Sequence, residues 1–274
     1  MQKTMSSDIR QIEIPRHDHF IEIEYEWINR EASDAPLLIF LHEGLGCISM
    51  WRDWPQQACE QLRCRGLVYS RYGYGNSTPR HPDDIRTNEY LHQEARHDLP
   101  NLLKALHLQN ERPYLYGHSD GGSIALLYAA MHPDRVSGIA VAAPHIFVEE
   151  ITLDGIKKAR EVYKTTELKA RLGRHHLQPE SVFMSWNDTW LKPEFKNWNI
   201  ESYVKLIRCP ILAIQGKDDE YGTLEQIYGI QRLASQAKTL VLTDCGHSPH
   251  RDQSEAVIAG LKKLFTQRGS RLGG

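Results

Sequence analysis

Residues 114–130 read YLYGHSDGGSIALLYAA. A short β-prone run, Tyr114 to Tyr116, meets a pattern in which Ile124, Leu127 and Ala130 recur at helical spacing. Gly117, His118, Ser119, Asp120 and Gly121 stand between the two. A strand that becomes a helix at a single serine needs a bend where backbones approach closely, and only glycine tolerates that. G-x-S-x-G at such a junction is the pattern of a nucleophile elbow, in which the bend lifts one hydroxyl clear of the sheet. A plain glycine-rich turn has the same composition, so the reading depends on what the rest of the chain offers Ser119.

Upstream, IRQIEIP (9–15) and FIEIEYEWIN (20–29) alternate apolar and polar residues, as two half-buried antiparallel strands do. PLLIFLHEGLG (36–46) is a continuous apolar run ending in a glycine loop, which predicts a strand buried on both faces. A helical pattern over 54–63 follows, then the strand GLVYS, the loop RYGYGNSTPRHPDD and an amphipathic helix over 91–108. Beyond the elbow helix, VSGIAVAAP, PILAIQG and TLVLTDCG read as further buried strands, and a last helix is predicted over 254–267. Strands alternating with helices predict an α/β fold: a mostly parallel eight-stranded sheet with helices on both faces. Between Pro144 and Cys209 the alternation stops, and Ile156, Ala159 and Tyr163 share one helical face while Phe183, Trp186 and Trp190 share another. Residues 1–144 and 209–274 are therefore expected to form the core and 145–208 a helical cap inserted into it. The tail RGSRLGG reads as loose.

With 33 Lys plus Arg against 35 Asp plus Glu, the chain has no basic excess to attract nucleic acid or an anionic membrane. No apolar run reaches the length of a membrane span or a signal-peptide core. The five cysteines are scattered and never form C-x-x-C, which suits reduced thiols, so a cytoplasmic location is expected. Near pairs of histidines occur, as at His175/His176 and His247/His250, but without H-E-x-x-H or a neighbouring acid at zinc spacing. Neither a metal nor a cofactor is expected.

A serine hydroxyl is a weak nucleophile until a neutral histidine removes its proton, and that histidine needs a carboxylate to fix its tautomer. PILAIQGKDDEYG ends a buried strand and offers Asp218 and Asp219; TLVLTDCGHSPH ends the next and offers His247. In a parallel sheet those strand ends lie on one edge, where doubly wound proteins keep their sites. The backbone amide of Asp120, just after the serine, is placed to bind a developing oxyanion.

On four landmarks the chain resembles the α/β-hydrolase-fold family over nearly its whole length, in the branch with a serine nucleophile. They are the loop His42 to Gly46, the elbow at Ser119, an acid after a late strand, and Gly246–His247. The resemblance implies a triad of Ser119, Asp219 and His247, since Asp219 stands three residues after Gly216 in a G-x-x-D pattern, with Asp218 the alternative. Alignment on His42 implies that the Gly44 amide, or next Glu43, completes the oxyanion hole with Asp120. Many relatives have glycine where Glu43 stands. A carboxylate aimed into the hole would repel the anion, so Glu43 is expected to turn away, toward Arg71 or another cation. Ser70 and Tyr72 occupy the acid and arginine positions of the family's Asp-x-Arg-Gly-x-Gly-x-Ser loop. That loop is expected to keep its shape and lose an ion pair.

A serine at the elbow argues against the branches that use aspartate there. It leaves ester, lactone and thioester hydrolysis, acyl transfer, and C–C cleavage of ring-fission products. His42, Phe147, Phe183, Trp186, Trp190 and Trp198 are candidates to line the pocket, with Arg71 and His145 as candidate partners of a substrate carboxylate. The expected function is a serine hydrolase of small carboxylic esters, lactones or related acyl compounds, with an acyl substrate and water as its partners. The alternatives are a C–C hydrolase and a triad-bearing receptor with negligible turnover. No oligomeric state is legible in these residues.

Overall fold

In the computed structural model, which describes residues 9–266, the alternating opening segment forms an antiparallel pair, β1 (Arg10–Arg16) and β2 (His19–Ile28). The tail RGSRLGG, and Gln267 at the end of the last predicted helix, lie outside the described residues. β3 (Leu37–Leu41) is buried throughout. Leu37, Ile39 and Leu41 join one apolar cluster while Leu38 and Phe40 join another, so the sheet is covered on both faces as a continuous apolar run requires. α1 (Trp54–Leu62), carrying Pro55 in its first turn, leads to β4 (Arg65–Tyr69).

The helix expected over 91–108 is broken into α2 (Tyr90–Gln93), a π-helical turn (Glu94–Asp98) and α3 (Leu99–Ala105). Pro100 has no N–H to donate, and the Leu99 amide reaches five residues back to the Glu94 carbonyl. β5 (Tyr114–His118), α4 (Asp120–Met131) and β6 (Gly138–Ala142) follow. Between β6 and β7 come α5 (Glu150–Thr165), α6 (Leu168–Leu172), α7 (Pro179–Trp190) and α8 (Glu201–Val204). Two of these helices meet where Tyr163 of α5 stacks on Phe183 of α7 at 3.9 Å between ring centres, and in the segment between α7 and α8 Phe195 stacks on Trp198 at 5.6 Å. β7 (Ile211–Gly216), α9 (Glu225–Leu233), β8 (Ala237–Leu242), α10 (Pro249–Asp252) and α11 (Ser254–Thr266) follow to the end of the described residues.

The eight strands are ordered β1-β2-β4-β3-β5-β6-β7-β8, with β2 antiparallel to both neighbours and the pairs from β4 to β8 parallel. Six consecutive strands, β4 to β8 in the sheet order, therefore send their C-terminal loops to one edge. The loop after β4 keeps its glycine turns, with Gly73 and Gly75 at φ of 88° and 56°. Where the family places an arginine, the Tyr72 ring has the guanidinium groups of Arg16 and Arg80 over it, 4.3 and 4.9 Å from its centre.

Candidate active site

Ser119 stands where β5 turns into α4, with φ 51° and ψ −116°, a conformation non-glycine residues rarely adopt. Such strain costs about 1–3 kcal/mol and persists only where the surroundings enforce it. Here they do: a Cβ added at Gly121 would lie 2.0 Å from the Leu41 carbonyl oxygen, and one at Gly117 would lie 2.1 Å from that of Gly121. The glycines let strand, helix and β3 close on one another, and the Ser119 amide is tied to the Ala142 carbonyl at 2.9 Å.

Ser119 Oγ lies 2.9 Å from His247 Nε2, and His247 Nδ1 lies 2.8 and 3.0 Å from the two carboxylate oxygens of Asp219. Asp219 Oδ1 also accepts the Tyr221 amide at 2.8 Å, and Oδ2 accepts Gln215 Nε2 at 2.6 Å. Burial pushes the Asp219 carboxyl upward, but the charge and hydrogen bond of His247 outweigh it and hold the pKa below its ordinary value. The same pairing, working against burial, raises the His247 pKa above its ordinary value. The geometry lets His247 take the Ser119 proton while Asp219 keeps Nδ1 protonated. Asp218 is not drawn in: its amide bonds to the Cys245 carbonyl at 3.0 Å.

Asp120 opens α4, so its amide has no acceptor within the helix, and the helix dipole favours an anion there. Its carboxylate accepts the Tyr90 hydroxyl at 2.9 Å, and that hydroxyl in turn accepts Trp190 Nε1 at 2.9 Å. Across from it, Gly44 lines the cavity with the Trp186 indole packed directly on it, leaving no room for a Cβ.

Glu43 takes a partner the sequence reading did not name. Its carboxylate lies 3.5 Å from His118 Nδ1, and His118 Nε2 donates to the His247 carbonyl at 2.6 Å. Burial raises the Glu43 pKa and His118 lowers it further, for a net fall below the carboxylate range. Arg71 bonds the backbone carbonyl oxygen of Glu43, at 2.8 Å, rather than its carboxylate.

Beside Ser119 and His247 opens a cavity of about 760 Å³. Leu45 and Met50 contribute from the core, and Ile156, Val162, Leu172, Trp186 and Trp190 from the inserted helices. Several expected lining residues are placed elsewhere. Phe147 pairs with Asn199 in an isolated bridge and packs toward Gly229. Phe183 and Trp198 are taken up by their stacks within the insertion. His42 and Arg71 are fully buried beneath the β3 loop rather than facing the cavity. His145 does line it, but burial lowers its pKa. With Nε2–H donating to the Tyr221 carbonyl at 3.1 Å, the neutral ring keeps only an acceptor nitrogen, unsuited to a substrate carboxylate. Thr152 Oγ1, on α5, donates to the same carbonyl at 2.6 Å. Tyr90, His118 and Gln215, which support the site, stand in ordinary helix and strand patterns with nothing local to mark them.

The family model described as alpha/beta hydrolase fold matches residues 36–175. The mouse serine hydrolase BPHL is 28% identical over 169 residues, 60% of this chain and 56% of that protein. The chain thus spans little more than half the length of this curated relative. Among solved structures, an esterase from Thermogutta terrifontis aligns with a TM-score of 0.72 at 19% identity, covering 96% of this chain and 99% of that one. An enol-lactonase from Burkholderia xenovorans LB400 aligns with a TM-score of 0.71 at 19% identity, covering 90% and 97%. At such identity the structural likeness speaks for the fold alone. Among the described residues, no helix is long and apolar enough to cross a membrane.

Proposed function

The chain belongs to the alpha/beta hydrolase fold family, and on that premise we propose that it is a serine hydrolase of carboxylic esters, lactones or related acyl compounds. The observation that carries this reading is the unbroken hydrogen-bonded chain from Ser119 through His247 to Asp219 beside an apolar cavity. In this mechanism Ser119 Oγ attacks the substrate carbonyl as His247 Nε2 takes its proton. The amides of Asp120 and Gly44 hold the oxyanion. His247 then gives the proton to the leaving group, and water, activated by the same histidine, cleaves the acyl-enzyme. Residues 145–208 act as the cap that walls the acyl site. The BPHL relative, named as a serine hydrolase, supports the same chemistry.

The cavity wall supports an acyl group larger than acetyl. Each buried methylene contributes about 0.8 kcal/mol, roughly a fourfold gain in kcat/KM per carbon until the space is filled. A screen of p-nitrophenyl esters of graded chain length, lactones, acyl thioesters and ring-fission dienones tests the proposal, with Ser119→Ala as control. Labelling by a fluorophosphonate, lost in Ser119→Ala, is expected together with a preference for medium-chain esters. Turnover of dienones alone would replace ester hydrolysis with C–C cleavage. Folded wild-type protein that neither labels nor turns over any substrate would point to a receptor instead.

A further inference from the structure

Arg71 takes no part in the steps above, yet its guanidinium bonds the Glu43 carbonyl and lies 3.6 Å from the Asp120 carboxylate. Resting on the hydrolase reading, we propose that Arg71 is a positioning residue of the oxyanion hole, which anchors the Glu43–Gly44 peptide and the Asp120 carboxylate from behind and so aims the Gly44 and Asp120 amides at one point.

The Glu43 carbonyl oxygen receives three donors: His42 Nδ1–H at 2.7 Å, Arg71 Nη2 at 2.8 Å and the Gly46 amide at 3.1 Å. His42 Nε2 accepts the backbone amide of Arg71 at 3.0 Å, which places the proton of the neutral ring on Nδ1. In a trans peptide the N–H points opposite to the C=O. A Glu43 carbonyl held toward Arg71 therefore turns the Gly44 N–H away from Arg71, and Gly44 is itself part of the cavity wall. A guanidinium on that oxygen also polarises the peptide, which strengthens its N–H as a donor.

The same Nη2 lies 3.6 Å from Asp120 Oδ2, the oxygen that accepts the Tyr90 hydroxyl. One nitrogen of one side chain thus stands against the peptide that carries the Gly44 amide and against the carboxylate of the residue that carries the other. Neither partner reaches solvent: side-chain exposure is 0% for Arg71 and 1% for Asp120. Burying such a pair costs several kcal/mol per ion in desolvation, offset only by good geometry and further hydrogen bonds. The Arg71 guanidinium also sits over the Tyr74 ring, 4.7 Å from its centre. Lysine has the charge but lacks the planar fork whose Nε and Nη2 reach His42 and Glu43 together.

The test compares wild type with Arg71→Met and, should that variant not fold, Arg71→Lys. Three readouts are used: steady-state kinetics on the preferred p-nitrophenyl ester, inhibition by a matching trifluoromethyl ketone, and the Gly44 amide resonance in a 15N–1H NMR spectrum. Losing a whole oxyanion donor costs about 10²–10³ in kcat, so a misaimed donor is expected to lower kcat about 10- to 100-fold, with KM within about threefold. Affinity for the ketone should fall in step with kcat/KM. The Gly44 amide proton should move upfield, and the acid limb of the pH profile should stay in place because His247 and Asp219 are untouched. A folded variant with kcat within threefold of wild type, or with an unmoved Gly44 resonance, overturns the proposal. So does a loss confined to KM or to thermal stability, as a purely structural arginine would give. If wild type hydrolyses nothing, the hydrolase reading fails, and the Gly44 resonance still decides whether Arg71 orients that peptide.

Discussion

Replacing Gly121 with alanine adds one methyl group where the backbone of α4 crosses that of β3. That carbon would lie 2.0 Å from the Leu41 carbonyl oxygen and 2.8 Å from that of His42, both of them backbone atoms. Relief requires α4 or the end of β3 to move by about 1 Å, since real contacts of this kind do not fall below 3.0 Å. β3 is paired on both sides, with β4 and β5, so it cannot yield without breaking ladder hydrogen bonds. Overpacking against side chains costs about 1–3 kcal/mol, and against fixed backbone the upper end applies. At an m-value of about 3 kcal/mol per molar urea, the unfolding midpoint should drop by about 1 M. Activity should fall further, because the residues that yield lead directly into the Gly44 loop, and a 1 Å misplacement costs about 10²-fold in rate. Gly173→Ala is the control: its Cβ would meet nothing closer than 3.4 Å, and its φ is −62°. That change should leave stability within about 1 kcal/mol of wild type or raise it. Wild-type midpoint and kcat in Gly121→Ala, or equal damage from both substitutions, would refute the reasoning.

The raised pKa of His247 places the acid limb of kcat/KM above pH 6.5, since the base works only when neutral and is lost as pH falls through that value. A pH–rate profile whose limb lies below 6 would contradict this. Asp219→Asn should lower kcat by about 10³–10⁴ while the protein remains folded, as checked by circular dichroism, because His247 loses the anion that sets its tautomer. Glu94, pushed up to about 7 by burial and by Asp98, binds its proton more tightly folded than unfolded. Stability is therefore expected to decline as pH rises from about 4.5 to about 7, by on the order of 2 kcal/mol. Glu94→Gln should flatten that decline in melting curves recorded at pH 5 and pH 8, and an unchanged decline would assign it to other groups.

What the sequence exposed is what local rules govern. Alternation in IEIP and FIEIE marked a half-exposed edge pair, and the unbroken run LLIFL marked a strand covered on both faces, because burial acts on each residue in place. The glycines flanking Ser119 signalled a close crossing even without the partner strand in view. Contacts between distant segments were another matter. Arg71 on a polar loop reads as solvated, and its burial depends on His42 and Asp120 arriving from two other elements. Glu43 met His118 rather than Arg71 because β3 and β5 are neighbours in the sheet. Helical spacing placed Phe183, Trp186 and Trp190 on one face, but that face serves both the cavity and the packing between helices, so spacing alone could not divide them. The break at Pro100 was legible in principle, and amphipathic periodicity on either side concealed it.

The Tyr221 carbonyl, which takes hydrogen bonds from both His145 and Thr152, has a consequence for recombination with relatives. Tyr221 also gives its amide to Asp219, so the acid loop and the first inserted helix form one joint. A chimera that exchanges residues 145–208 at their apparent seams would separate the two halves of that joint. A second crossover moved past Gly222 would carry the aspartate along with the wall it leans on, and it is there that inherited pieces should be interchangeable.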